Sequence, residues 1–199
     1  MTEKNPPGPD FWVHALARRI TLFENLRQGD LGNQLDRLSD VVARAMARDR
    51  KVLLFGNGGS AAAAQHVAAE WVGRFLTERN PLPAIALTTD SSILTAIGND
   101  YSYDDVYRRQ LENYGQMGDV VLTMSVSGNS PNLLEACRWA KENGLHIIAL
   151  IGGKRGKLSE IADNCIVIEE THYGRAEDCQ MGIAHMICYA FMENPEWAE

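Results

Sequence analysis

The chain has 199 residues, 45% apolar and 23% charged, an ordinary globular mix that excludes extensive disorder and suits one domain with a sizeable core. A formal net charge of −7 excludes a global positive field, so non-specific binding of nucleic acid is not expected, although a local cluster of Arg or Lys could still hold one small phosphate. No apolar run approaches the ~18 residues that cross a bilayer, and polar residues 1–10 lack the apolar core of a signal peptide; a cytoplasmic protein without a membrane partner is expected.

Two helical segments open the chain. Val13, Leu16, Ile20, Phe23 and Leu26 recur at three and four residues and form one apolar stripe, which Gly29 and Gly32 interrupt. Leu31, Leu35, Leu38, Val42 and Ala45 make a second stripe ending near residues 48–50. Both need a cover, either the chain's own core or, as we favour, a second subunit. From Lys51 onward the pattern changes to short apolar runs: Val52-Leu53-Leu54-Phe55, Ala84-Ile85-Ala86-Leu87, Val120-Val121-Leu122-Thr123-Met124, Ile147-Ile148-Ala149-Leu150-Ile151 and Ile166-Val167-Ile168. Most are followed by a helix-like stretch, the last over about residues 176–192. Strands apolar on both faces and alternating with helices predict a parallel sheet covered on two sides, in one α/β domain. The four cysteines (Cys137, Cys165, Cys179, Cys188) show no C-x-x-C spacing and read as buried small hydrophobes.

In such sheets ligands sit beyond the carboxyl ends of the strands. After the first strand comes Gly56-Asn57-Gly58-Gly59-Ser60, where glycine lets backbone approach a ligand and Ser60 can cap a helix. Neither G-x-G-x-x-G nor a Walker A pattern is present, and the loop reads equally well as a tight structural turn. After the third strand comes Ser125-Val126-Ser127-Gly128-Asn129-Ser130-Pro131, with Ser130 as N-cap and Pro131 as first helical residue. Serine hydroxyls beside a helix N-terminus suit a phosphate monoester better than they suit a plain helix start.

His66 and Glu70 are four residues apart, on one helical face. Glu177 and His185, eight apart, are offset by about 80° on a helix and could face one cleft. Two imidazoles and two carboxylates could hold a metal, supply a general acid and base, or simply be solvated helix residues.

These motifs, together with Gln65 before His66, Thr95-Ala96-Ile97-Gly98-Asn99-Asp100 and Arg175 before Glu177, run in order along nearly the whole chain. The set resembles the phosphoheptose isomerases of the sugar-isomerase (SIS) superfamily. The resemblance implies a five-stranded flavodoxin-like sandwich and a homotetramer with sites between subunits. It also implies conversion of sedoheptulose 7-phosphate to D-glycero-D-manno-heptose 7-phosphate, at the start of heptose synthesis for bacterial surface glycans such as lipopolysaccharide. By the same resemblance Ser125, Ser127 and Ser130 would hold the phosphate, while Asn57, Gly58, Gly59, Asn99 and Asp100 would line the sugar site. Glu70 would be the base and His185 its partner. His66, Glu70, Glu177 and His185 would form the zinc site found in some members.

The chain departs from the family pattern at Glu177 (usually Gln), Val126 (usually Thr), Gly174 (often Asp) and Gln180 (often His). The loss of the hydroxyl at Val126 leaves that backbone amide in place for the phosphate. A second carboxylate near Glu70 would raise one pKa unless a cation lay between them, which implies a strong dependence on metal. The departures also leave room for another phosphosugar. A rival reading is a non-catalytic SIS scaffold like the relative that binds the bacterial replication initiator; that branch typically lacks the carboxylate at position 70. A SIS-type regulatory sensor would carry a DNA-binding module, and none is seen.

Overall fold

The computed structural model describes residues 8–74, 78–194 and 197. In chain order the elements are α1 (Pro9–Gln28), α2 (Leu31–Met46), β1 (Val52–Gly56), α3 (Gly59–Val72), β2 (Ala84–Ala86) and α4 (Ser91–Asp100). A 3₁₀ turn (Tyr103–Asp105) leads into α5 (Arg108–Tyr114), β3 (Val120–Ser125), α6 (Pro131–Glu142) and β4 (His146–Gly152). The chain closes with α7 (Leu158–Ile161), β5 (Asn164–Ile168) and α8 (Tyr173–Glu193). The strands form one sheet in the order β2-β1-β3-β4-β5, every pair parallel.

Alternation along each strand explains the two layers of helix. Val52, Leu54, Leu122, Ile148 and Leu150 point into a core shared with α2, α3 and α8. Their neighbours Leu53, Phe55, Val121, Ile147 and Ala149 point into a second core against α5 and α6. Both sets are apolar because both faces are covered, which is why the strands read as continuous apolar runs. The five predicted strands are all present, with β2 shortened: Leu87 lies just past its end and donates its N–H to the Leu54 carbonyl at 2.9 Å.

Two elements differ from the sequence expectation in instructive ways. The final helix begins at Tyr173, three residues early, because Glu170 organises the turn before it. Glu170 Oε1 accepts the N–H groups of Thr171 and His172 at 2.7 Å each, and Arg175 Nε donates to Oε2 at 2.5 Å. At the other end of the chain, α2 packs its stripe on the core while α1 buries only Leu22. Phe11, Trp12, Val13, Leu16 and Ile20 are between 54% and 64% exposed, so the first half of the stripe is left uncovered by the described residues, while Phe23 and Leu26 pack against α8 and the core. Among the described residues no helix is long and apolar enough to cross a membrane.

Candidate active site

β1 and β3 are neighbours whose following helices leave for opposite faces: α3 packs in one core and α6 in the other. This is the switch point of the sheet, where the carboxyl ends of two strands part and leave a crevice. A cavity of about 330 Å³ opens there, lined by Asn57, Gly58 and Gly59 after β1, residues 125–127 and Ser130 after β3, and Tyr173 and Glu177 of α8.

The serine loop is held from within and from below. Gly128 N–H donates to Ser125 Oγ at 3.0 Å, and Asn129 N–H to Ser127 Oγ at 3.3 Å. Each hydroxyl oxygen therefore accepts a bond from the loop, and its proton is left to donate to a ligand. Ser130 takes the N-cap position of α6, with Pro131 opening the helix, yet its side chain makes no capping bond. Ser130 is instead part of the cavity lining. Gly128 has φ +64°, and a Cβ there would come within 2.0 Å of the Arg155 carbonyl oxygen, so only glycine fits. Val126 is buried at the cavity wall, close over Gly152, so the side chain that replaces a hydroxyl serves packing.

The glycine loop is fixed through Asn57. Asn57 and Asn132 exchange two amide hydrogen bonds of 2.9 Å, and Tyr107 Oη donates to the Gly56 carbonyl at 2.5 Å while its ring stacks on Phe55. Ser60 does not cap α3; Gly58 takes that place, and the buried Ser60 hydroxyl lies inside the first turn, 3.5 Å from Gln180 Oε1. Gln180 also donates to the Leu150 carbonyl at 2.9 Å, tying α8 to β4. Its polar amide is buried because it bridges α3, α8 and the sheet.

The predicted acid–base residues meet about two turns further along the same two helices. His66 Nε2 lies 3.0 Å from His185 Nε2, and His66 Nε2 lies 3.5 Å from Glu70 Oε1. Burial, and then the neighbouring His66, hold the His185 pKa below the usual imidazole value, while Glu70 pulls the other way. His185 is thus neutral over a wider pH range than an exposed histidine.

Glu177 stands apart from these three. Its carboxylate lies over Gly59 at the start of α3, where a Cβ on Gly59 would come within 2.6 Å of it. Gly59 and Glu70 are separated by about 16 Å along the helix axis. The expected repulsion between two neighbouring carboxylates therefore does not arise within the chain. Eight residues of helix set Glu177 about 12 Å from His185 along the α8 axis, so Glu177 reaches the cavity end of α3 while His185 meets His66. As donors, two imidazole nitrogens and one carboxylate oxygen at these spacings suit zinc. Among the described residues, however, no three such side chains are already closed into a metal cage.

Asn99 and Asp100 lie exposed at the end of α4, bonded to each other at 2.8 Å, and line no part of this cavity. Sequence reasoning passed over Tyr173, Asn132, Tyr107 and the Glu170–Arg175 pair. An asparagine in the first turn after Ser130 was a readable signal; the others depend on tertiary contact. Burial pushes the thiols of Cys137 and Cys188 up to about 12 and that of Cys179 to about 11, which disfavours the reactive thiolate at these three positions.

The fold and cavity define a phosphosugar-binding α/β domain, and the SIS domain profile matches residues 17–152. The chain is 43% identical to a phosphoheptose isomerase of Rhodospirillum rubrum over 163 residues, 82% of this chain and 87% of that one. It is 46% identical to a phosphoheptose isomerase of Geobacter sulfurreducens over 159 residues, 80% and 84% of the two chains. The structure of a phosphoheptose isomerase from Neisseria gonorrhoeae superposes with a TM-score of 0.87 at 34% identity, covering 92% of this chain and 98% of that one. The chain belongs to the phosphoheptose isomerase family of SIS-domain enzymes.

Proposed function

We propose that the chain converts sedoheptulose 7-phosphate to D-glycero-D-manno-heptose 7-phosphate through a cis-enediol. The observation that carries this reading is the joint placement of the serine-loop cavity and the His66–His185–Glu70 cluster on α3 and α8, about 10 Å apart along the helix axis. A substrate with phosphate at one end and a ketose at the other spans such a gap.

In this mechanism Ser125, Ser127 and Ser130 donate hydroxyl protons to the phosphate, and Asn57, fixed by Asn132, orients the sugar chain. Glu70 takes a proton from C1 and returns it to C2. His185, whose pKa is lowered by burial and then by His66, moves the proton between the two oxygens. His66 steadies His185: two Nε2 atoms 3.0 Å apart can share one proton or direct both lone pairs at one cation. The second option is the argument for zinc, with His66, Glu70 and His185 as its ligands in this chain. When bound, zinc would polarise the carbonyl and stabilise negative charge on the enediolate.

The uncovered first half of the α1 stripe supports a homo-oligomer, with the tetramer as the expected form. A second copy is then the natural source of contacts to Asn99 and Asp100. A cytoplasmic place in heptose synthesis for surface glycans follows from the same reading. Incubation with sedoheptulose 7-phosphate should yield the aldose phosphate by NMR. Turnover of another ketose phosphate alone would reassign the substrate, and absence of any turnover would favour the scaffold reading.

A further inference from the structure

A second cavity, of about 590 Å³, opens at the opposite end of the sheet. Its wall comes from the end of α2, the turn into β1, and the turns that precede β3 and β4. Because β3 is six residues long, the two cavities lie about 20 Å apart. Three guanidinium groups, Arg44, Arg48 and Arg50, and the imidazole of His146 line it, and its lining contains no carboxylate. In a chain of formal charge −7 this is a concentrated positive site.

Two of the nearby carboxylates are already committed, and Asp49, exposed between Arg48 and Arg50 in sequence, is not part of the lining. Asp40 pairs with Arg44, bonding Nε at 2.8 Å. Asp119, fully buried, is taken by Lys51 Nζ at 2.7 Å and by the N–H groups of Lys51 and Gln116. Arg50 spends one long bond of 3.4 Å on the Asp49 carbonyl, and its side chain lies against Gly118. Among the described residues Arg48 and Arg50 form no ion pair, so two guanidinium forks are left to face the cavity. The remaining wall is apolar: Val41, Ala45, Val120 and the thioether of Met117.

We propose that this cavity binds a phosphate or diphosphate ester carrying a flat ring, such as a nucleoside diphosphate. Arginine forks take phosphate oxygens in pairs, which suits a diphosphate better than a single carboxylate. Aliphatic side chains and a methionine give a surface on which a ring can lie without losing polar contacts. The volume falls in the usual range for a small-molecule site, about 300–1,000 Å³. None of the residues involved belongs to the serine-loop cavity, so the two ligands do not compete for side chains.

The test is calorimetric titration of the full-length chain with ADP at low ionic strength, with pyrophosphate and adenosine as comparisons. We expect saturation at one ADP per chain, and binding at least about tenfold weaker for pyrophosphate or adenosine alone, since each offers only half of the recognised chemistry. Arg48→Ala with Arg50→Ala should weaken ADP about tenfold or more, whereas Ser127→Ala with Ser130→Ala should leave it unchanged. Arg48→Glu alone, on an exposed side chain, provides the same reading without disturbing the packing over Gly118. No saturable binding of ADP at millimolar concentration would overturn the proposal. So would equal affinity in the arginine variants, loss of binding in the serine variants, or pyrophosphate binding as tightly as ADP.

Discussion

The cavity of the serine loop and the histidine–glutamate cluster both border α3 and α8, yet the loop and the cluster are built from different materials. The loop is made by backbone: internal N–H to Oγ bonds, a glycine at positive φ pressed against the Arg155 carbonyl, and a proline that opens α6. The cluster is made by side chains alone, with His66 about half exposed and Glu70 about a quarter exposed. A backbone-made site should tolerate a changed side chain, as at Val126, but not an added Cβ in the wrong place. A side-chain site should fold without its reacting groups and lose only its chemistry.

That contrast is sharpest at Glu70. Glu70→Gln should lower kcat by about 10²–10⁴-fold while changing stability by no more than about 0.5 kcal/mol, read by turnover and thermal unfolding side by side. Gly128→Ala is the converse. It forces an L side chain into left-handed backbone against a carbonyl oxygen, and should cost about 3 kcal/mol or more of stability together with phosphate binding. A correctly folded Gly128→Ala chain with wild-type affinity would break the comparison.

Glu170 joins the two regions, because it sets where α8 begins. Its carboxyl is held at about 2, well below the ordinary range, first by the Arg175 guanidinium and then by the His172 and Thr171 amides. A depressed carboxyl pKa stabilises the fold fully above the unfolded value of about 4.3, and that contribution is lost as pH falls from there toward 2. Glu170→Gln should therefore cost about 2 kcal/mol near neutral pH, raise KM through displaced Tyr173 and Glu177, and flatten the acid limb of the stability curve. The smallest effect is expected at Ser130→Ala. Since its hydroxyl caps nothing, stability should hold, while phosphate affinity falls roughly fivefold for one lost bond of about 1 kcal/mol.

Much of this was readable from residues alone. The strands declared themselves because a sheet covered on both faces needs apolar side chains on both, and the serine loop because hydroxyls crowd beside a Ser-Pro helix start. The i, i+4 spacing put His66 beside Glu70. The meeting with His185, 119 residues away, followed from the resemblance and from helical phase, and the chain brings it about. What sequence misplaced was Glu177. Helical phase turns it toward the face of His185, but eight residues of rise, about 12 Å, carry it to the other end of α3. The Asn57–Asn132 pair, 75 residues apart, and the arginine cavity are likewise products of folding, gathered from turns with no shared pattern.

The central claim is that a side chain of the His66–Glu70–His185 cluster carries a proton between two carbons of a phosphorylated ketose. Running the isomerisation in D₂O and locating deuterium in the product by NMR and mass spectrometry tests it most directly. The account predicts deuterium at C2 of the aldose, with incorporation and turnover lost together in Glu70→Gln. Deuterium incorporation and turnover that persist undiminished in Glu70→Gln would contradict the account, because another group would then be moving the proton.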